Sequence, residues 1–239
     1  MKILAIECSA TPASVAVLDG NKLLANAFVN VKLTHSQTLM PMIESTLNAA
    51  KINIGDIEGF AISNGPGSFT GVRIGISAVK GLAAAKKLPC AAVSTLYAMA
   101  QSYCDTECIV CAVMDARCNQ FYNALFNIEN GEITRLCDDR ALLGNELLED
   151  VKKLSESQNK PIIIVGDGAA LFYKTACDIK NVKMAHPSRE YQNAVGVGYA
   201  ALNCFEKGEV LSPDMLLPFY LRLPQAEREL KMKKENEKL

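Results

Sequence analysis

Short apolar segments separated by turn residues make up the start of the chain. They predict three strands, at 2–7, 13–19 and 23–31, with a hairpin-type turn at Asp19-Gly-Asn21. Because these strands follow one another so closely, we expect an antiparallel meander. Apolar periodicity then predicts helices at 36–50, 70–87 and 96–103, which alternate with strands at 57–63 and 90–94.

The second half of the chain repeats this order. It has predicted strands at 108–114, 120–128, 132–136, 161–165 and 182–184, and predicted helices at 146–157, 169–177 and 191–205. A repeat at an interval of about 100 residues indicates an internal duplication. We therefore expect an α/β fold with two ribonuclease H-like domains, each a mixed sheet with helices, as in the actin, sugar kinase and chaperone ATPase superfamily.

The duplication also predicts where the domains divide. The first domain is expected at 1–103, and the helix at 191–207 is a candidate to complete it. The second domain is expected at 104–222. The last residues, 223–239, are rich in Lys and Glu and are expected to form a charged mobile tail.

Length and composition exclude several classes of protein. The 239 residues suffice for one large or two small domains, and 49% hydrophobic with 21% charged residues is typical of a globular protein. A net charge of −1 disfavours direct tRNA or DNA binding, since phosphate contacts need a basic excess. We recognise no export signal and no membrane span, and nine cysteines cannot all pair within the chain. A reduced, cytoplasmic protein is expected.

The turn after the first strand of each half is where that superfamily binds nucleotide. Backbone amides of a glycine-containing turn approach the phosphates, and an acidic residue holds magnesium. Here the turns read Glu7-Cys-Ser-Ala10 and Asp115-Ala-Arg-Cys118, without glycine. Phosphotransfer is therefore disfavoured, and Glu7, Ser9 and Asp115 are weak candidates for a nucleotide site. A residual nucleotide-binding or hydrolytic enzyme that uses the interdomain cleft is the alternative function.

A glycine-rich loop leads from the strand at 57–63 into the next helix. It lacks the final Gly-Lys-Ser/Thr of a Walker loop, because Val72 and Arg73 follow its last glycine. We interpret it as a tight turn in which Ser68 or Thr70 caps the helix, in preference to a phosphate site. The loop consists of Gly65, Pro66, Gly67, Ser68, Phe69, Thr70 and Gly71.

Cysteine and histidine positions predict neither a metal centre nor a cofactor. Cys104, Cys108 and Cys111 have the spacing of an iron–sulfur site, but Cys108 and Cys111 fall on opposite faces of a predicted strand. Their thiolates cannot converge on one cluster. His35 and His186 have no companion ligands at metal-binding spacing, and His35 is expected to orient or cap the start of a helix.

Two helices of the first half carry more apolar surface than one sheet contact requires. In the helix at 70–87, Arg73 and Lys80 share one narrow stripe, and small residues recur every four positions, which allows another helix to approach closely. A partner surface would explain this pattern, and burial by the rest of the chain would explain it equally well. The predicted partner-interface residues are Leu39, Met42, Ile43, Thr46, Val72, Gly75, Ile76, Ala78, Val79 and Leu82.

Several motifs together resemble the TsaB (YeaZ) family. They are His35-Ser-Gln37, the loop Gly65–Gly71 with its continuation Val-Arg-Ile-Gly75, Met114-Asp-Ala-Arg117, and Pro218-Phe-Tyr-Leu-Arg222. The resemblance extends from the start of the chain to Arg222. It implies a non-catalytic subunit that activates TsaD in the synthesis of N6-threonylcarbamoyladenosine (t6A) in tRNA.

The resemblance also implies partners. TsaD would bind the helices of the first domain as a heterodimer, and a homodimer would form when TsaD is absent. TsaE and, transiently, TsaC would act in the same pathway, and tRNA would be reached only through the complex. TsaD holds its metal with a His-x-x-x-His helix, and this chain has Thr95 and Met99 roughly at those positions. Metal-dependent transfer and the older glycoprotease activity are therefore not expected here.

Overall fold

The computed structural model describes residues 1–222, which form two lobes that are each built on one mixed sheet. The strands of the first sheet are β1 (Lys2–Glu7), β2 (Ala13–Asp19), β3 (Lys22–Val29), β4 (Gly59–Gly65) and β5 (Cys90–Ser94). Strand β1 pairs antiparallel with β2 and parallel with β4, and the strand order is β3-β2-β1-β4-β5.

The second sheet repeats the first. Its strands are β6 (Cys108–Asp115), β7 (Gln120–Glu129), β8 (Glu132–Arg135), β9 (Arg140–Leu143), β10 (Ile162–Val165) and β11 (Val182–Met184). The order β8-β7-β6-β10-β11 matches that of the first sheet, which confirms the predicted duplicated α/β fold. The short strand β9 pairs with the first half of β7 and was not predicted, because Asp138, Asp139 and Arg140 interrupt the apolar pattern there.

Six helices cover the two sheets. They are α1 (His35–Ala50), α2 (Phe69–Ala84), α3 (Thr95–Ala100), α4 (Gly144–Ser157), α5 (Ala169–Ala176) and α6 (Ala194–Lys207). Helix α6 begins later than the predicted residue 191, because the Asn193 side chain accepts a hydrogen bond from Val195 N at 2.9 Å and caps the helix there. It ends at Gly208, whose φ of 71° is the left-handed conformation of a helix C-cap.

The helices cover both lobes, and helix α3 also connects the two lobes. Helices α1 and α2 pack on one face of the first sheet, and α6 packs on its other face against β1, β2, β4 and β5. Helix α3 contacts both sheets and α6, while α4 and α5 cover the outer face of the second sheet. On this basis we propose the domain division at 103/104, with α6 completing the first domain.

Two further expectations from the sequence concern the charged tail and membrane-spanning helices. The predicted charged tail at 223–239 lies outside the described residues. Over residues 1–222, no helix combines the length and the apolar character needed to cross a bilayer.

Candidate functional site

The glycine-rich loop packs directly on the turn that follows β1. Ser68 N donates to Ser9 O at 2.6 Å, and a Cβ atom at Gly67 would lie 2.5 Å from the same oxygen. The Ser68 hydroxyl accepts a hydrogen bond from Gly71 N at 3.3 Å, which confirms Ser68 as the cap of α2, whereas Thr70 is exposed in the first turn. Because the Ser68 amide is already paired, the loop is built as a close-packed turn.

Glu7 and Ser9 lie at the bottom of this arrangement. Glu7 is fully buried, and its Oε1 accepts a hydrogen bond from Ser9 N at 2.6 Å. Three buried atoms here have no hydrogen-bond partner among residues 1–222: Glu7 Oε2, Ser9 Oγ and Ser63 Oγ. Burial raises the pKa of Glu7, and hydrogen bonding to Ser9 opposes this effect only in part. Ionisation of Glu7 is therefore less favourable than that of a carboxyl group in water.

Asp115 occupies the equivalent strand end in the second lobe and is exposed. Its Oδ1 accepts a hydrogen bond from Arg117 N at 2.7 Å. Three residues of the same turn, Arg117, Cys118 and Asn119, have φ values of 63°, 53° and 55°, so the turn contains a left-handed stretch without any glycine. The carboxylate is thus engaged by its own turn.

Asp167 is a third carboxyl group near this cleft, and the sequence reasoning missed it. It lies half-buried between Gly166 and Gly168, and Gln192 Nε2 donates to its Oδ1 at 2.8 Å. Burial raises its pKa to about 6, and the charges of Asp115 and Glu7 act in the same direction. The available sequence signal was the Gly-Asp-Gly turn after the buried strand β10.

The predicted partner-interface residues are mostly not on the surface. All of them except Ala78 and Leu82 are buried in the core between the first sheet and helices α1 and α2. Their apolar character therefore serves this chain's own packing, which corrects the residue-level expectation. The buried ones are Leu39, Met42, Ile43, Thr46, Val72, Gly75, Ile76 and Val79.

The glycines of α2 also have a different partner from the one that their spacing suggested. A Cβ atom at Gly75 would lie 2.5 Å from Cys8 Sγ and 2.8 Å from Ile62 Cδ1, and a Cβ at Gly71 would overlap Cys8 O. These glycines let α2 approach strands of its own sheet. Gly81 is different, because it is exposed and a Cβ there would meet nothing within 4 Å.

The outer face of α1 and α2 carries few charges. Met40 is 48% exposed on α1, and Ser77 and Gly81 are exposed on α2 beside the half-buried Ala78 and Leu82. The two helices contact each other, so these side chains share one side of the first lobe. We call this surface the outer α1–α2 face.

Arg73 and His35 hold the ends of these helices in place. The Arg73 guanidinium lies 3.8 Å from the centre of the Phe69 ring, and its Nε donates to the Tyr220 hydroxyl at 2.8 Å. His35 Nε2 lies 2.7 Å from Ala10 O, which joins the start of α1 to the turn after β1. This contact agrees with the predicted orienting role of His35.

Cysteine placement agrees with the prediction for the CxxxCxxC segment. Cys108 lies in one core of the second lobe and Cys111 in the other, on opposite faces of β6. All nine cysteines are free thiols. Among residues 1–222, no three His, Cys, Asp or Glu side chains form a group that could hold a metal ion.

The comparisons with known proteins cover nearly the whole chain. The family model described as "TsaD: tRNA N6-adenosine threonylcarbamoyltransferase" matches residues 23–230. The chain is 29% identical to the "tRNA threonylcarbamoyladenosine biosynthesis protein TsaB" of Bacillus subtilis, over 95% of this chain and 96% of that protein. It is 30% identical to the protein of the same name from Escherichia coli, over 93% and 95% of the two chains.

A solved structure gives the same result at the level of the fold. The structure of YeaZ from Pseudomonas aeruginosa aligns with a TM-score of 0.76 at 25% identity, and it covers 92% of this chain and 99% of that one. Sequence and structure thus match along both lobes rather than in one motif. The chain belongs to the TsaB (YeaZ) family, within the wider TsaD-type sequence family.

Proposed function

We propose that this chain acts in t6A modification of tRNA as a non-catalytic subunit that binds and activates TsaD. The observation that carries the proposal is the match over nearly the whole chain to TsaB proteins, which are named for threonylcarbamoyladenosine biosynthesis. TsaE and, transiently, TsaC are the further partners in this proposal. With a net charge of −1, the chain would meet tRNA only through the complex.

The environments of Thr95, Met99, Glu7 and Asp115 support a non-catalytic role. Thr95 and Met99, which stand roughly at the positions of TsaD's metal-binding histidines, are buried in α3. Glu7 is enclosed, and Asp115 is engaged by its own turn. A buried carboxyl group whose pKa is raised ionises less readily and is therefore a weaker ligand for magnesium.

The outer α1–α2 face is the proposed docking surface for TsaD. It combines the exposed Met40 with small residues that permit close approach of a helix, and it carries few charges that would have to be desolvated. A second copy of this chain would use the same face when TsaD is absent, which would give a homodimer.

Reconstitution of the modification reaction tests the function. Purified TsaC, TsaD and TsaE are incubated with tRNA, threonine, bicarbonate and ATP, with and without this chain, and t6A is quantified by mass spectrometry. We expect t6A formation to depend on this chain. Equal t6A yields in both reactions would contradict the activator role.

A charged substitution on the open side of α2 tests the docking surface. Gly81→Arg places a long side chain in free space on that face, so the monomer should fold normally and co-purification with TsaD should be lost. Ala170→Arg, at an exposed position on α5, is the matched control and should keep the complex. Retention of TsaD by Gly81→Arg would refute the assignment. Gly75→Leu would not test this surface, because a side chain at Gly75 would disrupt the core.

Residual nucleotide binding in the cleft is the second candidate function. The unpaired buried atoms Glu7 Oε2, Ser9 Oγ and Ser63 Oγ are the observation in its favour, since a bound ligand or water could pair them. Calorimetric titration of the isolated chain with ATP and magnesium distinguishes the two functions. The subunit proposal expects weak or no heat of binding, and a stoichiometric site that disappears in Glu7→Gln would favour the alternative.

A further inference from the structure

The last described segment, residues 211–222, runs along the first lobe as an extended strap. Leu211 exchanges two backbone hydrogen bonds of 2.8 Å with Cys90 in β5, and Leu216 is fully buried in the core under α1 and α2. Phe219 N donates to Asn64 O at 2.7 Å, at the end of β4. Several independent contacts thus fix the strap to the first lobe.

The strap lies directly on the glycine-rich loop. A Cβ atom at Gly65 would overlap Phe219 O, so the two backbones are in contact. The ring of Tyr220 stacks on that of Phe69, with 4.6 Å between the ring centres, and Arg73 donates to the Tyr220 hydroxyl. Below the loop lies Ser9, and next to it the buried Glu7.

Within residues 211–222, Arg222 is the residue that hydrogen-bonds the second lobe. We call this end of the strap its outer end. Arg222, half-buried, donates from its guanidinium to Ala116 O at 2.6 Å. Ala116 belongs to the turn between β6 and β7, immediately after Asp115. The strap therefore spans from the glycine-rich loop of the first lobe to the turn between β6 and β7 of the second.

We propose that the strap is a clasp between the lobes and that the Arg222–Ala116 hydrogen bond is its releasable end. Its inner part is held by Leu216 and by main-chain hydrogen bonds, whereas within residues 211–222 a single side chain, that of Arg222, hydrogen-bonds the second lobe. Release of Arg222 lets the turn after Asp115 move away from the loop over Ser9. The opening of the cleft above Glu7 is thus set by a side chain that the chain itself supplies.

Hydrogen–deuterium exchange of the full chain tests the clasp. Arg222→Ala is compared with the wild-type chain, and exchange is followed in peptides covering 113–120 and 7–14. The second peptide contains the Ser9 amide, whose hydrogen bond to Glu7 is buried. We expect exchange to become about tenfold faster in both peptides, the effect of losing one charge-assisted hydrogen bond. Exchange in the α4 peptide, 144–157, should not change.

A matched arginine variant controls for the loss of any such hydrogen bond. Arg189 also donates to a main-chain carbonyl, Ser102 O at 2.9 Å, away from the strap. Arg189→Ala should leave both cleft peptides at their wild-type rates. Faster exchange in 113–120 alone would mean that Arg222 only supports its local turn, and this would overturn the proposal. Unchanged exchange in both peptides, or uniformly faster exchange throughout the chain, would also overturn it. The test uses the isolated chain, so its outcome is independent of TsaD binding.

Discussion

Adding one methyl group at Gly75 tests whether the glycines of α2 serve this chain's own sheet. The new Cβ would lie 2.5 Å from Cys8 Sγ and 2.8 Å from Ile62 Cδ1, whereas unstrained contacts between such atoms are about 3.5–4 Å. Cys8 and Ile62 are both fully buried, and protein interiors are close-packed. Either these two side chains or helix α2 must therefore shift, and overpacking of this kind costs about 1–3 kcal/mol.

The assay is urea denaturation followed by far-UV circular dichroism. Gly75→Ala should lower the free energy of unfolding by about 1 kcal/mol, because the higher helix propensity of alanine offsets part of the overpacking cost. Gly81→Ala, in the same helix but with free space around its Cβ, should raise it by about 0.5–1 kcal/mol through the higher helix propensity of alanine. Cys8→Ala removes one clashing atom, so the double variant with Gly75→Ala should be less destabilised than the sum of the single variants. If Gly75→Ala unfolds with wild-type stability, the close packing of α2 on the sheet is refuted.

Four further substitutions test other parts of the structure. Because burial raises the pKa of Asp167 to about 6, its ionised form destabilises the native state above that pH. Asp167→Asn should therefore raise the free energy of unfolding at pH 7.5 by about 1–2 kcal/mol, a value reduced because the carboxylate keeps some contact with water. Urea titrations at different pH values should show this gain vanish as the pH falls from 6 towards 4. Ser68→Ala removes the cap of α2 and should cost about 1 kcal/mol in thermal unfolding, whereas Thr70→Ala should cost much less. Leu216→Ala should cost about 2–4 kcal/mol in urea denaturation, because this side chain is fully buried where the strap is anchored, and wild-type stability would contradict that anchoring.

Much of the fold was predictable because each lobe depends on local patterns. The meander strands 2–7 and 13–19 were placed at their observed ends, since apolar runs between turn residues leave few alternatives. The duplication followed from recurrence of the same order of elements. Strand β9 could not be found, because its pairing with β7 is a non-local contact and its polar neighbours hide the alternation.

The candidate site was predictable only in part, for a related reason. The turns at Glu7 and Asp115 were identified from their positions after apolar strands, and Ser68 from capping chemistry. Asp167 was missed, because its perturbed pKa arises from burial and from carboxylates that are distant in sequence. The contact of Arg222 with Ala116 joins residues 106 positions apart, which no local pattern encodes.

The sequence by itself determined the elements, their duplicated order and the resemblance to the TsaB family. Only the tertiary structure decided which neighbour each apolar face meets. The hydrophobicity of Leu39 or of Val72 does not depend on whether the side chain faces a sheet or a partner protein. Periodicity therefore shows that a helix face is buried, but it does not show which surface buries it. In this chain the first sheet buries them, and what α1 and α2 leave for a partner is the outer face around Met40, Ser77 and Gly81.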